Sequence, residues 1–159
     1  MQITSRTATP GDLDVLRWLY DAAVAEQVEI KPVWAIADAL AEPVDESMTG
    51  ILADEHSLVV VGELDDVPLG FAWARSEPLL PQAGERVAVV RLIFTLHDGR
   101  GVGVGDAMIR QILGHFRERG HRRFDARVSP GHRHAKNFFE SNGFAARLIV
   151  MHHLDDDDG

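Results

Sequence analysis

"HDGRGVGVGDAMIRQIL", residues 97–113, sets four glycines at alternate positions between 99 and 105 and then turns into a helical pattern. Glycine loses more conformational freedom on folding than any other residue. A cluster at a helix start therefore signals left-handed backbone or a close approach to something else. Unbonded N–H groups and the positive end of the helix dipole make phosphate the first ligand to consider there. Three phosphate-binding schemes compete. A Walker A loop needs Gly-Lys-Ser/Thr, and no lysine or hydroxyl follows these glycines. No register of Gly99, Gly101, Gly103 and Gly105 supplies the Gly-x-Gly-x-x-Gly of a dinucleotide fingerprint. Arg-x-x-Gly-x-Gly is matched in every place, by Arg100, Gly103 and Gly105.

Outward from this loop the periodicities define the elements. Val104, Met108, Ile109, Ile112, Leu113 and Phe116 form an apolar stripe at helical spacing after it, and "RVAVVRLIFTL" (86–96) is a long β-run before it. Upstream, "SLVVVGEL" and "VPLGFAWARSE" flank an Asp-Asp turn and read as a hairpin. The first strand, near "QITSRT", leads through Thr9, Pro10 and Asp12 into a helix marked by Leu13, Leu16, Tyr20, Ala23 and Val24. Further helices are expected after Pro32 and near Met48, Ile51 and Leu52. Downstream, "HRRFDARV" (121–128) reads as a strand and "SPGHRHAKNFFESNGF" as a short helix stopped by Gly143. "AARLIVMHHL" reads as a closing strand. The order β-α-α-β-β-β-α-β-α-β predicts an α/β domain with a mixed sheet: hairpins make antiparallel pairs and the strand-helix-strand unit a parallel one.

The chain has 159 residues, 45% hydrophobic and 26% charged, which suits one globular domain over residues 1–154 followed by an acidic tail at 155–159. No run is long enough to span a bilayer, and the first residues lack a signal-peptide apolar region. With no cysteine, disulfides, thiolate metal sites and a cysteine nucleophile are excluded, and a cytoplasmic setting is expected. The two histidine pairs, His132/His134 and His152/His153, are poorly spaced for shared ligation, so no metal is expected. The net charge of −9 is uneven, with sixteen acids against six bases over residues 1–96 and five against ten over 97–154. An acidic chain is a poor nucleic-acid binder. The split suggests that the second half meets an anion and the first a cation.

The stretch "IFTLHDGRGVGVGDAMIRQIL" resembles the acetyl-CoA signature of the GNAT N-acetyltransferase superfamily, L-x-V-x-P-x-x-R-G-x-G-x-G. Ile93, Thr95, His97, Arg100, Gly101, Gly103 and Gly105 fall on its places, with threonine and histidine replacing the usual valine and proline. Downstream, "HRHAKNFFESNGF" is similar to the family's second signature through Ala135, Phe138, Glu140, Gly143 and Phe144, and "ITSRTATPGDLDVL" resembles its first strand and helix entry. The resemblance implies the GNAT acyl-CoA N-acyltransferase fold, a central mixed β-sheet flanked by helices. It also implies that acetyl-CoA gives its acetyl group to a primary amine of a small molecule or peptide. A homodimer is compatible with it. The acidic balance of residues 1–96 leans toward a cationic amine.

Carried over residue by residue, the resemblance assigns cofactor contacts to Ile93, Phe94 and Thr95 on the strand. It adds Arg100, Gly101, Val102, Gly103, Val104, Gly105 and Asp106 in the loop and helix start, and His132 and Phe139 further on. Strand N–H groups would hold the pantetheine and the thioester oxygen, and loop N–H groups would cradle the pyrophosphate. Arg117, Arg119, Arg122, Arg123, Arg127, Arg133 and Lys136 are available to the 3′-phosphate. Without cysteine, the amine attacks directly rather than through an acyl-enzyme. Two departures bear on the chemistry. The usual acid, a tyrosine, is Phe139 here, and the usual asparagine is His132. His132 and Glu85 are the candidate acid and base, with His97 and Asp98 nearer the loop. Loss of one acid–base group costs about 10²- to 10⁴-fold, compatible with a slow enzyme. A CoA-binding module without transferase activity is the alternative.

Overall fold

The computed structural model describes residues 1–30, 39–79, 84–128, 133–153 and 155. The strands are β1 (Ile3–Thr7), β2 (Ser57–Leu64), β3 (Val67–Pro78), β4 (Arg86–Thr95) and β5 (Phe124–Ala126), and they form one sheet in that order. Neighbours are antiparallel except β4 and β5, which are parallel. The helices are α1 (Leu13–Ile30), α2 (Val44–Ala53), α3 (Val104–Glu118) and α4 (Arg133–Ser141), with short 3₁₀ turns at Pro10–Asp12 and His97–Gly99. The mixed α/β architecture expected from the sequence is the one found. The helix expected after Pro32 falls largely outside the described residues.

Strand alternation divides the core into two layers. On one face Leu58, Val60, Ala72, Ala74, Ala88 and Val90 pack against Val104, Met108, Ile109, Ile112 and Phe116 of α3 and Phe139 of α4. On the other, Val59, Val61, Phe71, Leu92 and Phe94 pack against Leu16, Leu19, Tyr20 and Ala23 of α1 and Met48 of α2. The Asp65-Asp66 turn has both residues at positive φ (48° and 66°), the geometry that matches the twist of a two-residue hairpin. Where β1 enters α1, both Nη atoms of Arg6 bond the Asp12 carboxylate at 2.8 and 2.9 Å, and the Thr9 N–H donates to the same group at 2.8 Å. The Arg6 hydrogen bond leads the effects that hold the Asp12 carboxyl down at about 2. The clamp is therefore fully charged at neutral pH and is lost only as pH falls through that value.

Two expectations are corrected. The strand read at 121–128 shortens to the three residues of β5. The run read as a closing strand, 145–154, belongs to no strand over its described residues. A strand needs a partner for its backbone groups as well as β-prone side chains, and the sheet ladder ends at β5.

Helix α3 lies close on the sheet because the sheet carries no side chain beneath it at Gly62, where a Cβ would stand 2.6 Å from Val104 Cγ1 and 3.0 Å from Met108 Cγ. Gly62→Val is expected to lower stability by about 1–3 kcal/mol through overpacking. At about 2–4 °C per kcal/mol for a chain of this size, a thermal melt should show a drop of several degrees.

Candidate active site

The site begins with an irregularity in β4. Trp73 of β3 is paired with Leu92, but the next residue, Ala74, is paired with Val90, so Arg91 is an extra residue bulged out of the strand. The parallel pairing with β5 covers only Ala88, Val89 and Val90. From Arg91 to Thr95, β4 continues with β3 on one side and, among the described residues, no strand on the other.

The bulge also changes which residues face the gap. Before it, the Ala88 N–H donates to the Arg123 carbonyl at 3.0 Å, so even-numbered residues of β4 face β5. Beyond it, the Leu96 N–H donates to Leu69 O of β3 at 2.7 Å, so even-numbered residues now face β3. Antiparallel alternation then directs the N–H and C=O groups of Ile93 and Thr95 into the gap. An extended amide-bearing ligand would find a ready hydrogen-bonding edge there.

The edge runs into the glycine loop. Gly99 is buried, and a Cβ on it would stand 2.7 Å from Thr95 Cγ2, so this glycine lets the turn seat against β4. Gly101 (φ 76°) and Gly103 (φ 101°) are left-handed, and Gly103 is the N-cap of α3. No atom lies within 4 Å of where a Gly101 Cβ would stand. Ala107 is the first helix residue whose N–H is bonded back, to Gly103 O at 3.0 Å. The helical N–H groups of Val104, Gly105 and Asp106 ahead of it are therefore directed out of the helix end. Outward-directed N–H groups at a helix start favour an anion by charge.

Gly105 has a different role. A Cβ there would lie 3.0 Å from the Phe138 ring, so it provides packing space for α4 against α3. The Asp106 carboxylate accepts from Asn142 Nδ2 at 3.2 Å, a second tie between these helices.

Arg100 folds back from the loop rather than reaching into it. Its Nε donates to Thr95 O at 2.9 Å, its Nη2 lies 2.5 Å from Glu26 Oε1 on α1, and its guanidinium sits 5.7 Å from the Phe94 ring centre. Thr95 O is thereby occupied, which sets the end of the open edge. Glu26 was not singled out in the sequence: a glutamate on an amphipathic helix 74 positions away carries no signal of its partner.

The bulge also presents Arg91 to the opposite face of the sheet. Its guanidinium lies 5.5 Å from the Trp73 ring centre and pairs with Glu77. Arg91 and Trp73 line a cavity of about 430 Å³ beneath α2, whose wall also includes Leu40, Ile51, Asp54 and Arg75. Burial alone would raise the Asp54 carboxyl, but hydrogen bonds from Ser57, the His56 N–H and Arg75 outweigh it and the net shift is downward. Trp73 Nε1 donates to Ser57 Oγ at 3.0 Å, so the cavity wall is a connected polar network around an indole. Tyr20, the chain's single tyrosine, is buried, and its hydroxyl accepts the Leu40 N–H at 3.0 Å.

The remaining candidates are dispersed. Phe139 is buried between Phe138 and Phe144, with ring centres 5.2 Å from each. Glu85 precedes β4 and pairs with Arg123 at 3.2 Å. It is six residues ahead of the bulge, roughly 20 Å along an extended strand, so the structure does not bring it to the open edge. His132 lies outside the described residues. Among the basic side chains, Arg119 donates to His115 O at 3.0 Å, Lys136 pairs with Glu140, and Arg117 lies over Phe124. No group of three or more His, Asp or Glu is placed to hold a metal ion among the described residues. Nor is any described helix long and apolar enough to cross a membrane.

The description "acetyltransferase (GNAT) family" belongs to the family model that matches residues 14–144. The chain belongs to this family. As a GNAT acetyltransferase it is an N-acetyltransferase, and solved structures share its fold across nearly the full length. AAC(6')-Iy in complex with the bisubstrate analog CoA-S-monomethyl-acetylneamine has 18% identity, covers 98% of this chain and 99% of that one, and gives a TM-score of 0.73. A tetramutant of BH1408 from Bacillus halodurans has 19% identity over 97% and 99%, with a TM-score of 0.79. A predicted acetyltransferase from Clostridium acetobutylicum, solved with acetyl-CoA, has 15% identity over 96% of each chain, with a TM-score of 0.74. No curated protein matches this GNAT chain in sequence.

The Arg100–Glu26 pair ties the end of the open edge to α1. Glu26→Gln is expected to raise the KM for acetyl-CoA several-fold with kcat little changed, in steady-state assays at fixed ionic strength. A double-mutant cycle with Arg100→Gln should be non-additive, since both changes release the same contact.

Proposed function

We propose that the chain transfers the acetyl group of acetyl-CoA to a primary amine by direct attack, with donor and acceptor meeting at the Arg91 bulge. The observation that carries this reading is the open backbone edge at Ile93 and Thr95, which leads straight to the glycine cradle. An extended amide chain ending in a pyrophosphate fits those two features together. When bound, acetyl-CoA supplies an activated thioester carbonyl for the amine and a thiol leaving group.

The chain's own contributions follow from what each group can do. The N–H groups of residues 101–106 hold diphosphate charge at a helix start without a lysine. The Ile93 backbone groups and the Thr95 N–H orient the donor, and a β4 N–H at the gap polarises the carbonyl, the kind of fixed dipole that contributes most to such reactions. The acceptor enters from the α1–α2 face, where Trp73, Leu40 and Ile51 offer an apolar wall. The acid excess of residues 1–96 favours the approach of a protonated amine, which gives up its proton to water at the cavity mouth. A side chain at Phe139 has no proton to give, and His132 is the candidate we retain for protonating the leaving thiolate. AAC(6')-Iy, solved with a CoA–acetylneamine analog, makes aminoglycosides the first amines to try, beside polyamines, amino acids and peptide N-termini.

The test is CoA release followed with a thiol-reactive dye, for which a cysteine-free protein gives no background. One amine class is expected to release CoA, and Gly101→Val should lower kcat/KM at least about tenfold through KM. Gly101 has an open surround but a left-handed backbone (φ 76°) that a valine strains, so a thermal melt and far-UV spectrum of the variant accompany the kinetics, and a fall in KM-dependent activity beyond any loss of folded protein is the expected result. Bound acetyl-CoA with no release across the panel would overturn the transfer reading in favour of a binding module.

A further inference from the structure

The charge balance of the chain and the charge balance of the cavity beneath α2 point to different amines. Among the described residues the cavity wall holds one carboxylate, Asp54, and two guanidinium groups, Arg75 and Arg91. Asp54 is already engaged. It accepts from Ser57 Oγ at 2.6 Å, from the His56 N–H at 3.1 Å and from Arg75 Nε at 2.9 Å. A carboxylate holding three donors has little left for an incoming ammonium group. Arg91 pairs with Glu77. An acceptor with several ammonium groups therefore meets a wall whose acidic oxygens are taken.

Arg75 offers the opposite. It holds Asp54 through Nε, its Nη1 has only a 3.5 Å approach to Ser76 O, and among the described residues no hydrogen bond engages its Nη2. The side chain is 34% exposed. A guanidinium anchored at Nε keeps its Nη1–Nη2 edge, which matches a carboxylate as a bidentate pair. Two of the three donors on Asp54 are neutral dipoles, so the charge of Arg75 is shared rather than spent. The anchor is also fixed in place: Trp73 Nε1 donates to Ser57 Oγ and Ser57 Oγ donates to Asp54. Indole and guanidinium are thus set side by side on one face of β3.

We propose, resting on the transfer reading above, that the acceptor carries a carboxylate at the end remote from its amine, and that Arg75 selects it. Ala72 is the β3 partner of Ile93, and Arg75 stands three residues further on, roughly 10 Å along the strand. The reacting nitrogen and the carboxylate therefore lie several bonds apart, as in a dipeptide or an amino acid reacting through a side-chain amine. Trp73, Leu40 and Ile51 cover the body between the two ends. Such an acceptor brings one ammonium group and one anion, whereas a polyamine or an aminoglycoside brings cations alone.

Matched pairs test this. Initial rates of CoA release are measured with alanylleucine and its C-terminal amide, with lysine and lysinamide, and with spermidine and neamine. The free acids are expected to exceed their amides at least about tenfold in kcat/KM, through KM, and to exceed both polycations. Arg75→Gln should abolish the preference of acid over amide, and Arg75→Lys should restore part of it, since a point charge lacks the bidentate edge. The acid–amide comparison on the unaltered chain needs no variant to fold. Equal rates for acid and amide, or turnover confined to spermidine and neamine, would overturn the inference and leave acetyl transfer standing. If no amine releases CoA, the transfer reading falls, and calorimetry of alanylleucine and its amide on the CoA-bound chain still decides the inference. Binding of the acid at least about tenfold tighter than the amide supports it; equal binding, or none, overturns it.

Discussion

One extra residue in β4 organises the functional half of this molecule. With Arg91 bulged out, the strand keeps its hydrogen bonds to β3 but changes which backbone groups face outward, at the point where pairing with β5 stops. A regular strand in the same place would either continue its ladder with β5 or leave a short edge of no particular use. The bulge instead gives one stretch two surfaces: backbone groups of Ile93 and Thr95 toward the gap, and the Arg91 side chain over Trp73 on the other face. A donor held by the first and an acceptor held by the second would meet without either having to cross the sheet.

The glycine loop shows how residues of one type serve different physical ends. Gly101 and Gly103 are glycines for conformation, since an L side chain at those angles is strained. Gly99 and Gly105 are glycines for space, one under Thr95 and the other under Phe138. Only the bare surround of Gly101 is open to a ligand. The signature arginine likewise acts within the protein: Arg100 joins the end of β4 to α1 through Thr95 O and Glu26. The glycine loop and α1 are thus mechanically connected.

Charge along the chain and charge in space are different quantities. The sequence carries a basic excess after residue 97. Much of it is nonetheless engaged locally, with Arg123 on Glu85, Arg147 on Asp125 and Lys136 on Glu140. These exposed pairs contribute little to stability. They do fix where the guanidinium groups point, which decides what remains for a phosphate.

The sequence by itself determined the elements and their class. Apolar periodicity, the Asp-Asp turn and the Arg-x-x-Gly-x-Gly loop are local patterns, and local patterns suffice to set a strand, a hairpin and a helix start. They marked the glycine loop because its residues lie within seven consecutive positions. Tertiary structure alone decided the rest. The bulge at Arg91 exists only in relation to the register of β3, and Glu26 acquires its role only when α1 is folded against the loop. Phe138 is distinguished from Phe139 by which ring meets Gly105. The run at 148–151 has every local property of a strand and still forms none, because a strand is completed by a partner, and a sequence does not say where its partner lies.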